Sequence, residues 1–217
     1  MISKNLSKRS FTSILLFLLI YIIFKSNFIF IYSLIVVSVL SIIEFLSITK
    51  KFIKNKGNFF LINSLFIIYL SFFVFIVLFF YSGYPAKLIL FSILLCCAAS
   101  DIGGFVFGKL FKGPKLSKIS PNKTIAGSLG SIILCSIILT IIFYFLMTNF
   151  NFVILIVALL TSISCQIGDL FFSFLKRKAK IKDTGNFLPG HGGVLDRIDG
   201  ILLGIPVGIF TIILLIK

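Results

Sequence analysis

Asn58-Phe-Phe-Leu-Ile-Asn-Ser-Leu-Phe-Ile-Ile-Tyr-Leu-Ser-Phe-Phe-Val-Phe-Ile-Val-Leu-Phe-Phe80 runs for 23 residues without a charge. A helix needs about 20 predominantly apolar residues to cross a bilayer, so this stretch reads as a membrane span. Similar runs occur at 28–49, 86–108, 126–147, 152–175 and 200–216, with a shorter one at 10–24. The short run lies behind Lys4, Lys8 and Arg9 like the apolar region of a signal peptide. No small-residue cleavage site follows it, only Lys25-Ser26-Asn27, so it is read as a retained helix. The expectation is an all-α, polytopic membrane bundle of about seven helices. It forms one membrane domain over 1–217, with a catalytic core region at 100–200.

The whole chain agrees with that reading. Of its 217 residues 59% are hydrophobic and 12% charged, with a mean hydropathy of +1.19. A soluble domain carries roughly twice that share of charge, so soluble, disordered and disulfide-scaffold classes are excluded. Cys96, Cys97, Cys135 and Cys165 lie inside apolar runs without metal-type spacing and are read as small packing residues.

Charge sets the orientation. With a cytoplasmic N-terminus, segments 1–9, 50–57, 109–125 and 176–199 face the cytoplasm. They hold three, four, five and six basic residues, 18 of the 21 in the chain, leaving only Lys25, Lys87 and Lys217 outside. Cytoplasmic loops carry such an excess. The expected location is therefore the cell (inner) membrane, multi-pass, with the active site on the cytoplasmic side. In so apolar a chain the basic excess argues for an anionic membrane face or a polyphosphate and against nucleic acid.

Acidic side chains at membrane depth are expensive and usually functional. The six here are Glu44, Asp101, Asp169, Asp183, Asp196 and Asp199. Ser162, Gln166, Asp169 and Ser173 follow one another at i, i+4, i+7 and i+11, one face of a helix. A polar stripe must face protein or water, so it lines an internal cleft or makes helix-packing hydrogen bonds. Asp169, about 10 Å below the basic loop at 1.5 Å rise per residue, suits a hard divalent cation held for a phosphate or an ion pair with a loop lysine. Ser100, Gly104 and Gly108, like Gly200, Gly204 and Gly208, form small-residue ridges that let backbones approach. Only Glu44 lies outside the three downstream motif regions.

Loop 176–199 collects Lys176, Arg177, Lys182, Asp183, Gly192, Gly193, Asp196, Arg197 and Asp199, with the single His191. Glycine backbone can approach an anion, Arg197 can fork a phosphate, and Asp196 and Asp199 can share a face toward a cation. His191 is a ligand, a proton carrier or a loop hydrogen-bonding group; substrate or loop hydrogen bonding is favoured.

The stretch Ser173-Phe-Leu-Lys-Arg-Lys-Ala-Lys-Ile-Lys-Asp-Thr-Gly-Asn-Phe-Leu-Pro-Gly-His-Gly-Gly-Val-Leu-Asp-Arg-Ile-Asp199 resembles the signature of the phosphatidate cytidylyltransferase (CDP-diacylglycerol synthase) family. Gln166-Ile-Gly-Asp169-Leu, Ser120-Pro-Asn-Lys-Thr124 with Gly127, and Asp101 with Gly108-Lys109 resemble its upstream motifs. The similarity covers about residues 100–200. Phe172 and Ala126 stand where the family usually has Glu, and Gly104-Phe105 where it has Ala-Tyr.

The resemblance implies transfer of CMP from CTP to phosphatidate, giving CDP-diacylglycerol and pyrophosphate. It implies Lys176, Arg177, Lys182, Asp183, His191 and Arg197 as catalytic groups. Ser120, Lys123, Thr124, Gln166, Ser173, Gly192 and Gly193 would contact substrate. Asp169 and Asp196 would hold Mg²⁺, with Asp199 and Asp101 as further candidates and room for a monovalent cation such as K⁺. A hairpin of the two flanking helices is expected to bring Asp169 and Asp196 together. The expected partners are CTP, phosphatidate, the lipid bilayer and a second copy of the chain, with no nucleic acid. The alternatives are CTP-dependent transfer to another lipid phosphate or lipid alcohol, or, in a different class, an ion or phosphate transporter. A transporter calls for acids spread across the bilayer, whereas these gather toward one side.

Overall fold

The computed structural model describes residues 26–117, 119–147, 152–185, 187 and 192–215. They form six α-helices: α1 Asn27–Phe52, α2 Lys56–Ser82, α3 Tyr84–Phe111, α4 Ile125–Met147, α5 Val153–Lys178 and α6 Leu195–Leu215. All six are long and apolar enough to cross a membrane. An isolated antiparallel β-bridge pairs Lys115 with Thr124. The chain is thus a polytopic, all-helical membrane protein. The expected first span, 10–24, lies outside the described residues.

Local chemistry sets the helix ends. The Ser26 hydroxyl accepts from the Ile29 amide at the start of α1, and Lys50 and Lys51 occupy its last turn, where cations complement the helix dipole. Pro85 opens α3 at a position where its missing N–H costs nothing. Lys176, Arg177 and Lys178 close α5, and Asp196 lies in the first turn of α6. Within the spans, hydroxyls turn back on their own helix, as Ser38 does to the Leu34 carbonyl and Ser92 to that of Leu88. Large apolar side chains such as Phe60, Phe72, Phe75 and Phe79 remain exposed, as lipid-facing positions do.

The chain folds as two compact units. The first comprises Met1–Val74 with Leu175–Ile198, and the second Phe75–Phe174 with Asp199–Lys217. In the first unit the stacked rings of Phe45 and Phe66, 3.8 Å apart, join α1 to α2. One turn on, the Thr49 hydroxyl donates to Asn63 Oδ1 at 3.0 Å in a buried pair.

In the second unit α3 and α4 touch backbone to backbone. A Cβ on Gly103 would lie 2.5 Å from the Gly130 carbonyl oxygen, and one on Gly127 would lie 2.7 Å from that of Gly104. Cys96 and Cys135, both fully buried, are joined as a disulfide across this contact with Cα atoms 4.9 Å apart. The expectation that all four cysteines act only as small packing residues therefore fails for this pair, because the glycine contact brings α3 and α4 within bonding reach. Cys97 and Cys165 are free and buried, and a Cβ on Gly204 would collide with the Cys165 sulfur.

Candidate active site

A cavity of about 290 Å³ opens in the second unit between α3, α4, α5 and the 112–124 loop. Its shape follows from the glycine contact just described, since Gly104 and Gly127 line it together. The loop delivers its residues by folding on itself. The Leu116 amide donates to the Lys123 carbonyl at 2.8 Å, and the Ile125 amide to that of Pro114 at 3.0 Å. The Lys123 amide in turn donates to the Ser120 carbonyl, closing a turn at the tip. Thr124 ends the loop as the cap of α4, its hydroxyl accepting from the Gly127 amide at 3.1 Å.

Asp169 reaches the cavity from α5, where its Oδ2 accepts from the Lys123 ammonium at 2.7 Å. Asp101 lines the same cavity from α3. The expected stripe on α5 does face protein. Gln166 Oε1 accepts a short hydrogen bond from the Ser128 hydroxyl, while its Nε2 donates to Ser162 Oγ and to the Ser128 carbonyl, each at 3.3 Å. Ser162 continues to Ser100 at 2.8 Å, and Ser131 donates to the Ser100 carbonyl at 2.6 Å. Ser173, the last member of the stripe, is half-buried and outside the cavity lining. Both small-residue ridges pack as expected: Gly108 meets Thr124, and Gly200 meets Asp169.

The first unit holds the signature loop. Asp196 Oδ1 accepts from the Lys176 ammonium at 2.6 Å, and its Oδ2 accepts from the amides of Thr184 at 2.8 Å and Gly193 at 3.1 Å. Gly192 adopts φ +85°, a left-handed conformation that favours glycine, with Asp196 and Asp183 beside it. Arg177, Lys182, Asp183 and Arg197 are exposed. His191 lies outside the described residues.

Of the four metal candidates, Asp101, Asp169 and Asp199 belong to the second unit and Asp196 to the first. Asp199 Oδ1 accepts from the Gly200 amide at 3.0 Å, next to it in the chain. Among the described residues no cluster of three or more His, Cys, Asp or Glu side chains could hold a metal ion.

Glu44 is the residue the motif reading passed over. It is 2% exposed on α1, and its carboxylate accepts from Thr184 Oγ1 at 2.7 Å and from the Val194 and Leu195 amides at 2.9 Å each. An acid at membrane depth costs about 2.5–3.5 kcal/mol on insertion scales. Each hydrogen bond to a charged group contributes about 1.5–3 kcal/mol, so three of them offset that cost. The available signal was the acid itself, the only one on its span. Ser128 was also missed, because a serine in an apolar helix usually bonds its own backbone.

A model of the cytidylyltransferase family matches residues 1–215. Similar chains include a phosphatidate cytidylyltransferase of Helicobacter pylori, 41% identical over 112 residues, covering 52% of this chain and 42% of that one. The phosphatidate cytidylyltransferase of Rickettsia bellii is 39% identical over 142 residues, 61% of this chain and 62% of the relative. That of Staphylococcus haemolyticus is 44% identical over 110 residues, 49% and 42% respectively. The matched part thus spans about half the length of these relatives.

Proposed function

This chain belongs to the cytidylyltransferase family, and from that premise we propose that it makes CDP-diacylglycerol and pyrophosphate from CTP and phosphatidate. The observation that carries the reading is the cavity. It gathers two carboxylates, a lysine and several hydroxyl and amide groups around one cavity, in a chain whose six described helices are long and apolar enough to cross a membrane. A phosphate oxygen of phosphatidate attacks the α-phosphorus of CTP, a P–O bond forms, and the bond to the β-phosphate breaks to release pyrophosphate. The nucleophile is already anionic at neutral pH, so the reaction needs positioning and charge neutralisation more than a strong base.

Lys123 is the cavity's ammonium and would pass from Asp169 to a phosphate of the nucleotide. Gln166, fixed from both ends by Ser128 and Ser162, has both amide hydrogens in use and would offer the second lone pair of Oε1 to a substrate donor. Lys176, Arg177, Lys182 and Arg197 are proposed phosphate contacts of the signature loop, with Arg197 able to present a fork. The donor set in the cavity is all hard oxygen from Asp169, Asp101 and hydroxyls, which fits Mg²⁺. Mg²⁺ usually takes one or two carboxylates and completes its shell with phosphate oxygens and water, so two carboxylates suffice. When bound it would neutralise charge on the triphosphate. Asp196 remains a candidate ligand whose own oxygens serve the loop. The basic segments 50–57, 109–125 and 176–199 support a cytoplasmic orientation in the cell membrane.

The test is direct. Purified protein in mixed micelles with phosphatidate, Mg²⁺ and labelled CTP should yield a CDP-lipid and pyrophosphate in equal amounts. Turnover only with another lipid phosphate or a lipid alcohol would move the substrate assignment. No labelled lipid from any acceptor would refute the transferase reading.

A further inference from the structure

We propose that Glu44 is a positioning residue for the signature loop, holding Thr184 and the Gly193–Leu195 segment in register so that Asp196 keeps its orientation; this rests on the transferase reading above. Glu44 comes from α1, about 150 residues before its partners. It supplies the only acidic side chain on that helix. Both carboxylate oxygens are used. Oε1 accepts the Val194 amide, and Oε2 accepts the Leu195 amide and the Thr184 hydroxyl. Val194 and Leu195 lie at the beginning of α6, where backbone amides have no partner within the helix.

The loop is shaped around this carboxylate. A Cβ on Gly185 would lie 2.5 Å from Glu44 Oε1. One on Gly193 would collide with the Thr184 hydroxyl and lie 2.5 Å from Glu44 Oε2. The backbone therefore rests directly on Glu44 at Gly185 and at Gly193, and a side chain at either glycine would push it off.

Thr184 connects the two acids. Its hydroxyl donates to Glu44 and its amide to Asp196, while Gly193 donates to Asp196 and its neighbours donate to Glu44. Of the three donors to Asp196, the two backbone amides thus belong to segments that Glu44 holds, and the third is the Lys176 ammonium. If Glu44 were only an anchor for α1, its loss would lower stability and protein yield and leave turnover per folded molecule unchanged. A positioning role instead lowers kcat at constant substrate KM, because the loop still binds but is misaligned in the transition state.

The experiment uses the full chain in micelles. Thr184→Val removes one donor to Glu44 and keeps the backbone amide, Thr184→Ser restores the hydroxyl, and Glu44→Gln keeps the shape while facing an NH₂ group toward donors. The expected result for Thr184→Val is at least a tenfold loss of kcat with KM for CTP within twofold. Thr184→Ser should return kcat to within threefold of wild type. Combining Glu44→Gln with Thr184→Val should cost no more than Glu44→Gln alone.

Hydrogen–deuterium exchange gives an arm independent of activity. The amides of Thr184, Gly193, Val194 and Leu195 should exchange at least tenfold faster in Thr184→Val, with α3 and α4 unchanged. If Glu44→Gln does not accumulate, the Thr184 pair decides. Wild-type kcat and exchange in Thr184→Val would overturn the proposal, as would kcat losses that Thr184→Ser fails to restore. If the wild-type protein makes no CDP-lipid, the transferase reading fails while the exchange arm still decides whether Glu44 holds the loop.

Discussion

Replacing Gly127 by alanine tests the contact that shapes the cavity. The added Cβ would lie 2.7 Å from the Gly104 carbonyl oxygen, 3.2 Å from the Thr124 hydroxyl and 3.3 Å from the Gly108 Cα. The first and last of these neighbours are backbone, so no side chain can simply rotate away. Restoring an ordinary 3.4 Å contact with the Gly104 oxygen requires α3 and α4 to separate by about 0.7 Å. Overpacking of this kind costs about 1–3 kcal/mol. In a chain of this size that corresponds to a melting temperature lower by roughly 2–12 °C.

The same separation moves Asp101 relative to the Lys123–Asp169 pair, and misplacement by about 1 Å can cost around 10²-fold in rate. Turnover should therefore fall by about ten- to a hundredfold in protein that remains folded. The chain has no Trp, so thermal stability is best followed as the soluble monodisperse fraction after heating in detergent. Gly83→Ala is the control, because a Cβ there meets nothing within 4 Å. A Gly127→Ala protein with the melting temperature and turnover of Gly83→Ala would refute the close approach of α3 and α4.

Asp169→Asn, which removes the charge facing Lys123, should lower Mg²⁺-dependent turnover at least a hundredfold while the protein still inserts and purifies; wild-type activity and Mg²⁺ response would remove Asp169 from the mechanism. Arg197→Lys should keep the fold and lose about tenfold or more in kcat, since an ammonium cannot reproduce a two-pronged contact with phosphate. Chelation with EDTA should stop turnover and added Mg²⁺ should restore it, measured as pyrophosphate release. A cysteine introduced at Lys178 should react with a membrane-impermeant thiol reagent only after the cells are opened, and labelling of intact cells would reverse the orientation.

The spans were legible because apolar length is a property of the chain alone. The reading of 28–49 corresponds to Asn27–Phe52 and that of 58–80 to Lys56–Ser82. The apolar run at 200–216 is the uncharged part of α6, whose helix begins at Leu195. Hydropathy registers where a helix enters lipid, not where its hydrogen bonding begins, and Asp196, Arg197 and Asp199 are helical despite their charge. Within the site, helical spacing was enough to turn Gln166 and Asp169 toward protein. It could not name their partners, because Lys123 lies 46 residues from Asp169 and Ser128 lies 38 from Gln166. The Cys96–Cys135 bond and the reach of Glu44 to Val194 were hidden for the same reason. Both depend on which helices become neighbours, and residue type does not encode that one residue at a time.

Lys123 is fastened at its backbone and adjustable at its tip. The 112–124 loop is tied across its base, while four methylene groups separate the ammonium from the main chain. The lysine can therefore change counter-ion without any movement of the loop. On the function proposed above, an anionic ligand entering the cavity would compete with Asp169 for one ammonium, and a swing of the side chain would rebalance the local sum of charges. On that reading, selection in the cavity would be by valence as well as by shape: a more highly charged phosphate chain would win the exchange against the carboxylate more readily than a singly charged one.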